Sequence, residues 1–190
     1  MDAAAYLSGQ LLIALPAIGD PRFERAVALV CAHDAEHAMG LVLNRRIGGL
    51  KLGEVMERLS IPCPEDRRGE AILHGGPVQP ERGFVLHTDD FTAGDGATLA
   101  AGPGLACTPT REALDAISRN DGHPRRSRLA LGYAGWGPGQ LEDEIRRNVW
   151  LTCPADEDLV FDSPVNGLWA AALGRLGVDP SFLTAGAGEA

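Results

Sequence analysis

Apolar and polar positions along the first third of the chain predict a β-sheet. Three apolar runs, residues 10–15, 26–31 and 38–43, have the length and composition of strands. The second is apolar almost throughout, as in a strand that is covered on both faces. The connection at residues 34–37 is short enough for a hairpin, so the last two strands should pair antiparallel. A turn at residues 17–21 resets the chain after the first strand.

Helical spacing of apolar residues predicts four helices that cover the sheet. Their apolar faces are Leu52, Val55, Met56 and Leu59; Ala113, Leu114 and Ile117; Leu141, Ile145 and Val149; and Leu168, Trp169, Ala172 and Leu173. Thr110 is expected to cap the second of them, because its hydroxyl can accept a hydrogen bond from a free amide. We expect this helix to stop at residues 120–122, where Asn, Asp and Gly follow one another.

The remaining apolar segments predict further short strands. They cover residues 71–74, 82–87, 128–133, 150–154 and 159–161, with an edge hairpin around residues 97–101 and a polar surface loop at 62–70. Hairpin connections with irregularly interspersed helices favour an α+β fold with a mixed, largely antiparallel sheet over a doubly wound parallel sheet. We expect one domain over residues 1–190, with a core of about 9–176, flexible ends and a capping tail.

Composition makes binding to nucleic acid or to a membrane unfavourable. The formal net charge is −9, so phosphate backbones and anionic lipids are repelled overall. Local basic spots lie at Arg45-Arg46, at Arg67-Arg68 and at Arg125-Arg126 with Arg128. If the fold gathered them on one face, nucleic-acid binding would remain an alternative. The longest apolar runs are far shorter than the roughly 20 residues that span a bilayer.

The N-terminus and the cysteines predict a cytoplasmic protein. Residues 1–6 carry an acid where a secretory signal would carry positive charge, so no signal peptide is expected. Cys31, Cys63, Cys107 and Cys153 are far apart in the sequence and form no C-x-x-C pair. In a reducing compartment they would remain thiols, and we expect no metal and no cofactor at them.

Residues 131–141 form the most informative segment, because an apolar strand breaks into a glycine turn and restarts as an acidic helix. Four glycines fall within residues 132–139, and Tyr133 and Trp136 supply large aromatic faces beside them. A helix start of this kind can bind a phosphate. Glu142, Asp143 and Glu144 in the first turn oppose an anion there, and no nucleotide-binding glycine motif is present.

Three histidines near strand ends raise the possibility of catalysis. His33, His74 and His87 could meet one another and Cys31 in the fold, which would make a metal or acid/base site. The glycines after His74 are like those of an esterase oxyanion loop, but no G-x-S-x-G motif supplies a serine. The sequence therefore names no catalytic residue.

Several uncommon motifs occur in the same order as in one protein family. They are Gly9-Gln10-Leu11-Leu12-Ile13-Ala14, Gly19-Asp20-Pro21-Arg22-Phe23, Gly40-Leu41-Val42-Leu43-Asn44, His74-Gly75-Gly76-Pro77-Val78, Gly83-Phe84-Val85-Leu86-His87 and the segment from Leu131 to Glu142. Together they strongly resemble the YqgE/AlgH family over about residues 9–176. Arg45-Arg46 departs from the pair that often follows the asparagine in members, which puts the shape of that turn in doubt.

The resemblance implies a fold and a setting but no reaction. Members are bacterial cytoplasmic proteins with a bifurcated α+β sheet that is partly closed like a barrel. They are commonly labelled transcriptional regulators and have no established enzymatic activity or agreed catalytic residues. Direct DNA binding conflicts with the acidic charge and with the absence of a helix-turn-helix pattern.

Our leading hypothesis is a non-enzymatic binding or regulatory module with a protein or small-molecule partner. The candidate binding surface consists of Asn44, His74, Gly75, Gly76, Pro77, His87, Tyr133, Gly135, Trp136, Gly137 and Gln140. We expect exposed loops to display Asn44, His74, Tyr133, Trp136 and Gln140. The competing hypothesis is an enzyme in which His74 and His87 polarise a small substrate beneath the glycine loops.

Overall fold

The computed structural model describes residues 6–184. The expectations for a signal peptide, for the extreme ends and for part of the capping tail concern residues outside this range. The strands are β1 Gln10–Ala14, β2 Val27–His33, β3 Ala38–Val42, β4 Arg46–Lys51, β5 Ala71–His74, β6 Val78–Thr88, β7 Leu99–Ala100, β8 Leu105–Thr108, β9 Ser127–Trp136 and β10 Trp150–Pro154. The α-helices are α1 Leu52–Arg58, α2 Arg111–Arg119, α3 Gln140–Arg146, α4 Glu157–Phe161, α5 Leu168–Arg175 and α6 Pro180–Thr184.

The strands form one mixed sheet that forks at β9. Its main order is β10-β1-β2-β3-β9-β6-β8-β7. One edge of β9 carries two partners in succession: β5 pairs with it in parallel at Ala130 and Leu131, and β3 pairs with it antiparallel from Ala134 to Trp136. The strand β4 extends the β5 branch. The sheet is therefore a largely antiparallel, bifurcated half-barrel, and the predicted α+β class is confirmed.

Three apolar clusters fill the space around this sheet. The first lies inside the half-barrel and includes Leu29, Leu86 and residues of α4 and α5. Its helix α5 is tied to β1, because the Trp169 indole N–H donates to the Ala14 carbonyl at 2.9 Å. The second cluster joins α3 to β1, β2 and β10, and the third packs α1 and α2 on β5, β6 and β9. Within the described residues, no helix is long and apolar enough to cross a membrane.

Three local predictions are wrong and have clear physical reasons. Residues 159–161 lie in helix α4, not in a strand, because the Asp156 carboxylate accepts a hydrogen bond from the Leu159 amide at 2.7 Å and caps the helix. The Thr110 side chain does not cap α2, and its buried hydroxyl has no hydrogen-bond partner in the described part of the chain. Helix α3 ends at Arg146, so Val149 packs from the loop beyond it.

The strands β4 and β8 are not predicted by the sequence. β4 contains Gly48 and Gly49 and is mostly exposed, so it lacks the apolar alternation that marks a strand. β8 is fully buried and pairs with β7 to complete the edge hairpin, which the sequence had located only by residues 97–101. The strand β6 begins at Val78, four residues before its predicted start, because Val78 already pairs with Tyr133 of β9, and the register then shifts before Gly83.

Candidate functional site

The glycine segments after β5 and within β9 meet at one corner of the sheet. The Gly75 amide donates to the Leu131 carbonyl at 2.9 Å, and the Gly75 carbonyl accepts from the Val42 amide at 2.8 Å. A Cβ atom added to Gly76 would lie 2.1 Å from the Tyr133 carbonyl carbon. Only glycine permits this backbone crossing, so the glycines here serve close packing. The structure thus brings the two most distinctive motifs together.

An exposed apolar surface covers this crossing. Val78 lies directly opposite Tyr133 in the β6–β9 pairing, and a side chain at Gly135 would contact both of them at 3.5–3.9 Å. Val78 is 36% exposed, Gly135 is exposed, and the ring of Tyr133 packs by its edge on Phe84 with the centroids 5.7 Å apart. We call Val78, Tyr133 and Gly135 the corner surface. Pro77 precedes it and is half-buried.

Trp136 lies beneath the corner instead of on it. It is only 5% exposed, so the expectation that an exposed loop displays it is wrong. Its indole N–H donates to Glu144 Oε2 at 3.0 Å, and the indole of Trp150 donates to the same oxygen at 2.7 Å. The alternation of buried and exposed side chains along β9 accounts for this burial, since Trp136 lies on the same face as buried Ala134 whereas Gly135 faces outward.

The polar residues predicted at the corner are occupied by local bonds. Asn44 is held in the fold, because its Oδ1 accepts from the Val27 amide at 2.9 Å and its amide donates to the Arg25 carbonyl at 2.8 Å. Gln140 is exposed, yet its Oε1 accepts from the Gly137 amide at 3.0 Å. Both side chains therefore shape turns of the backbone.

His87 is fully buried and lies away from His74. Its Nδ1 donates to the Thr88 carbonyl at 2.7 Å, and its Nε2 accepts from the Thr108 hydroxyl at 2.8 Å. Burial lowers the pKa of His87, and this bonding pattern fits a neutral ring.

The two histidines of the enzyme hypothesis do not converge. His74 is exposed and lies opposite Leu131 of β9, and on the other side of β9 Leu131 lies opposite Gly83 of β6. His87 is four residues further along β6, or roughly 13 Å at strand spacing. The expectation of a joint histidine site is therefore wrong. Within residues 6–184, no group of three or more His, Cys, Asp or Glu residues could hold a metal ion.

The third histidine is part of a structural bond that links the N-terminal segment to α3. His33 Nδ1 accepts from the Leu7 amide at 3.0 Å, and Nε2 donates to Glu142 at 3.0 Å. The imidazole is almost completely covered, with 2% of its side chain exposed. His33 thus holds two segments together and contacts neither His74 nor His87.

A second region of interest is a concave groove lined by arginines. It has a volume of about 620 Å³ and opens between β4, β5, the end of α2, the start of β9 and α4. We call it the arginine groove. Its cationic lining residues are Arg46, Arg67, Arg125, Arg126 and Arg128. The fold thus gathers at least one arginine from each of the three basic spots, whereas Arg45 and Arg68 are not part of the lining.

Carboxylates accompany three of these arginines. Arg67 makes a two-pronged bond to Glu70 at 2.6 and 2.8 Å. Arg125 binds Glu157 at 3.1 and 3.2 Å, and Arg126 binds Asp162. Glu70 is three residues from Arg67, whereas Glu157 begins α4 and Asp162 follows it, 32 and 36 residues from the arginines that they bind. Sequence spacing could therefore indicate only the Arg67–Glu70 pair.

Comparison with known proteins agrees with the resemblance seen in the sequence. The sequence model of a family described as AlgH-like matches residues 11–181. A UPF0301 protein of Caulobacter vibrioides is 51% identical over 189 residues, which cover 100% of this chain and 96% of the relative. A UPF0301 protein of Xanthomonas campestris is 48% identical, with 97% and 96% covered.

Solved structures agree on the fold. The solution structure of the AlgH protein from Pseudomonas aeruginosa has a TM-score of 0.77 at 43% identity and covers 100% of this chain and 99% of its own. A crystal structure of a Corynebacterium diphtheriae protein has a TM-score of 0.70 at 22% identity, covering 89% and 86%, and so supports the fold alone. Together the motif order, the forked half-barrel and these similarities identify the chain as a member of the AlgH-like family.

Proposed function

We propose that this chain is a non-enzymatic interaction module that binds a partner protein through the corner surface. The observation that carries the proposal is that exposed Val78 and Gly135 adjoin half-buried Tyr133 above a rigid backbone crossing. Exposed apolar side chains on a rigid support are typical of protein-binding surfaces. Gly76 and the bonds of Gly75 supply that support.

The shape of the corner favours a protein over a small molecule as partner. Cavities of about 380, 550 and 620 Å³ lie elsewhere in the described part of the chain, and none is lined by a residue of the corner surface. Small ligands bind in concave sites that cover most of their surface, whereas a flat patch suits another protein. His74 and Pro77 lie next to the corner surface in the chain and are proposed to extend it.

A regulatory role would then work through the bound protein, not through direct contact with DNA. The net charge of −9 opposes an extended phosphate backbone, and carboxylates are interleaved with the gathered arginines. The setting we propose is the bacterial cytoplasm, because the four cysteines are free thiols and a reducing compartment keeps them so.

The test is affinity capture from a bacterial lysate with variants that alter only the corner surface. Gly135→Arg and Val78→Asp add charged side chains at exposed positions, so both proteins should keep the melting temperature of the parent chain. We expect each variant to capture at least about tenfold less partner than the parent chain, because binding would bury the added charge in an apolar contact. Mass spectrometry with labelled standards measures the captured amount.

The matched control is Leu59→Asp, which places the same charge at another exposed apolar residue, 40% exposed. It should capture the partner as the parent chain does. Equal capture by all four proteins would refute the corner surface as the binding site. Turnover of a small substrate that His74→Ala abolishes would refute the non-enzymatic part.

A further inference from the structure

The arginine groove contains two guanidinium groups whose charge the protein does not neutralise. Among the described residues, no carboxylate lies within the 4.0 Å ion-pair distance of Arg46 or Arg128. Glu70 and Asp162, the two acids whose charges act on Arg128, are each paired with another arginine, Glu70 with Arg67 and Asp162 with Arg126. Arg46 and Arg128 thus differ from the three arginines that line the same groove and are ion-paired.

Strand register brings these two side chains to the same face. Arg46 lies opposite Leu73, and Leu73 lies opposite Ala130. Arg128 is two residues before Ala130 on β9, so its side chain points to the same side as that of Ala130. Arg46 and Arg128 are therefore two strands apart and two residues out of step, which places their Cα atoms roughly 12 Å from each other on one wall of the groove.

Their environment favours an anion between them. Burial lowers the pKa of Arg128, and the positive charge of Arg46 lowers it further. Arg128 is oriented by its Nη2, which donates to the Phe161 carbonyl at 2.7 Å. A guanidinium carries five N–H donors in a fixed fork, so several donors of Arg128 and all those of Arg46 remain available to a ligand.

We propose that Arg46 and Arg128 form an anion clamp, and that its ligand is the phosphomonoester of a small organic molecule. A phosphomonoester carries up to two negative charges near neutral pH and presents three oxygens to paired guanidiniums. The volume of about 620 Å³ exceeds what phosphate alone fills, and the groove is partly lined by Ile117, Pro124 and Phe161, which suit an apolar body.

A long nucleic acid fits this groove poorly. Asp66, Glu70 and Asp162 lie in its lining, and a polyanion that extended beyond the clamp would meet them. A single compact anion can stay at the two unpaired arginines, where the repulsion by Glu70 and Asp162 is offset because each of these acids is paired with another arginine. The groove shares no lining residue with the corner surface, so this proposal and the proposed protein-binding function stand or fall separately.

The test is titration calorimetry of the whole chain with phenyl phosphate, and with benzoate as a carboxylate of similar apolar body. We expect phenyl phosphate to bind the parent chain and Arg146→Gln equally, because Arg146 is on the surface of α3 and pairs with Asp143. Arg46→Gln and Arg128→Gln should each weaken binding at least about tenfold, since each removes a charged donor. Arg46 is exposed and has no ion-pair partner among residues 6–184, so its variant should keep the fold.

Four results would overturn the proposal. One is equal affinity for phenyl phosphate in the parent chain and both clamp variants. Another is an absence of heat and of thermal stabilisation at up to about 10 mM phenyl phosphate. Equal affinity for benzoate would contradict the phosphate class. Tighter binding of a single-stranded oligonucleotide, with a steep salt dependence that Arg46→Gln removes, would replace the small ligand by nucleic acid.

Discussion

Glu144 is expected to be the residue on which the support of the corner depends most. Its Oε2 accepts from the indoles of Trp136 at 3.0 Å and Trp150 at 2.7 Å, and its Oε1 accepts from Gln140 at 2.9 Å. The two tryptophans are 5% and 2% exposed. Glu144→Ala would leave two covered indole donors without a partner, at about 1–3 kcal/mol each. Since Glu144 itself is half-buried and water can reach part of the space, we expect a loss of about 2–4 kcal/mol.

Urea unfolding followed by tryptophan fluorescence measures this loss. Glu144→Gln retains one acceptor oxygen and should lose only about 1 kcal/mol. A double-mutant cycle with Trp136→Phe, which removes the indole donor, should give a coupling free energy of about 1–2 kcal/mol. A loss below about 0.5 kcal/mol in Glu144→Ala, or a coupling near zero, would refute the assignment of Glu144 as the anchor.

Three further predictions concern other parts of the molecule. Cys63 is the half-buried cysteine, so a disulfide reagent should label one thiol quickly in the folded chain and all four after unfolding; fast labelling that persists in Cys63→Ser would contradict this. Burial lowers the pKa of His87, so below pH about 6.5 the unfolded chain takes up a proton that the folded chain does not. The free energy of unfolding should therefore decrease as the pH is lowered through this range. His87→Phe should flatten this slope in urea titrations at pH 5–7, and an unchanged slope would count against it. Gly75→Ala should abolish cooperative thermal unfolding, because its Cβ would lie 2.3 Å from the Gly132 carbonyl oxygen, whereas Gly137→Ala should melt within a few degrees of the parent chain.

The fold was predictable where hydrophobic periodicity and hairpin length decide the structure. Strands β1, β2, β3 and β10 and the helices α1, α2 and α5 lie close to their predicted ranges. The strands β1, β2 and β3 are apolar runs buried on both faces, and each of these helices buries one apolar face. Helix α4 was not predicted, since five residues are too few to show helical spacing, and the Asp156 cap decides its conformation. The strand β4 has glycines where a strand pattern needs apolar residues.

The candidate site was predictable only in part, because the sequence gives motifs but not burial. The meeting of the Gly75 and Tyr133 segments agrees with the hypothesis that separate bends form one corner. The sequence predicts Trp136 on an exposed loop and His87 near a strand end as parts of a binding surface, yet both side chains are buried. In the arginine groove, Glu157 and Asp162 at the two ends of α4 pair with Arg125 and Arg126. No pattern along the sequence predicts which arginines of the groove remain without a carboxylate partner.

The most direct test of the corner surface as a protein-binding site is photo-crosslinking in living bacteria. A photoreactive residue at position 135 would lie in the centre of the proposed contact, and one at position 59 would report an exposed site outside it. We predict a discrete adduct of one partner protein at position 135, lost in the background of Val78→Asp, and none at position 59. The same adducts at both positions, or no adduct at position 135, would contradict the account.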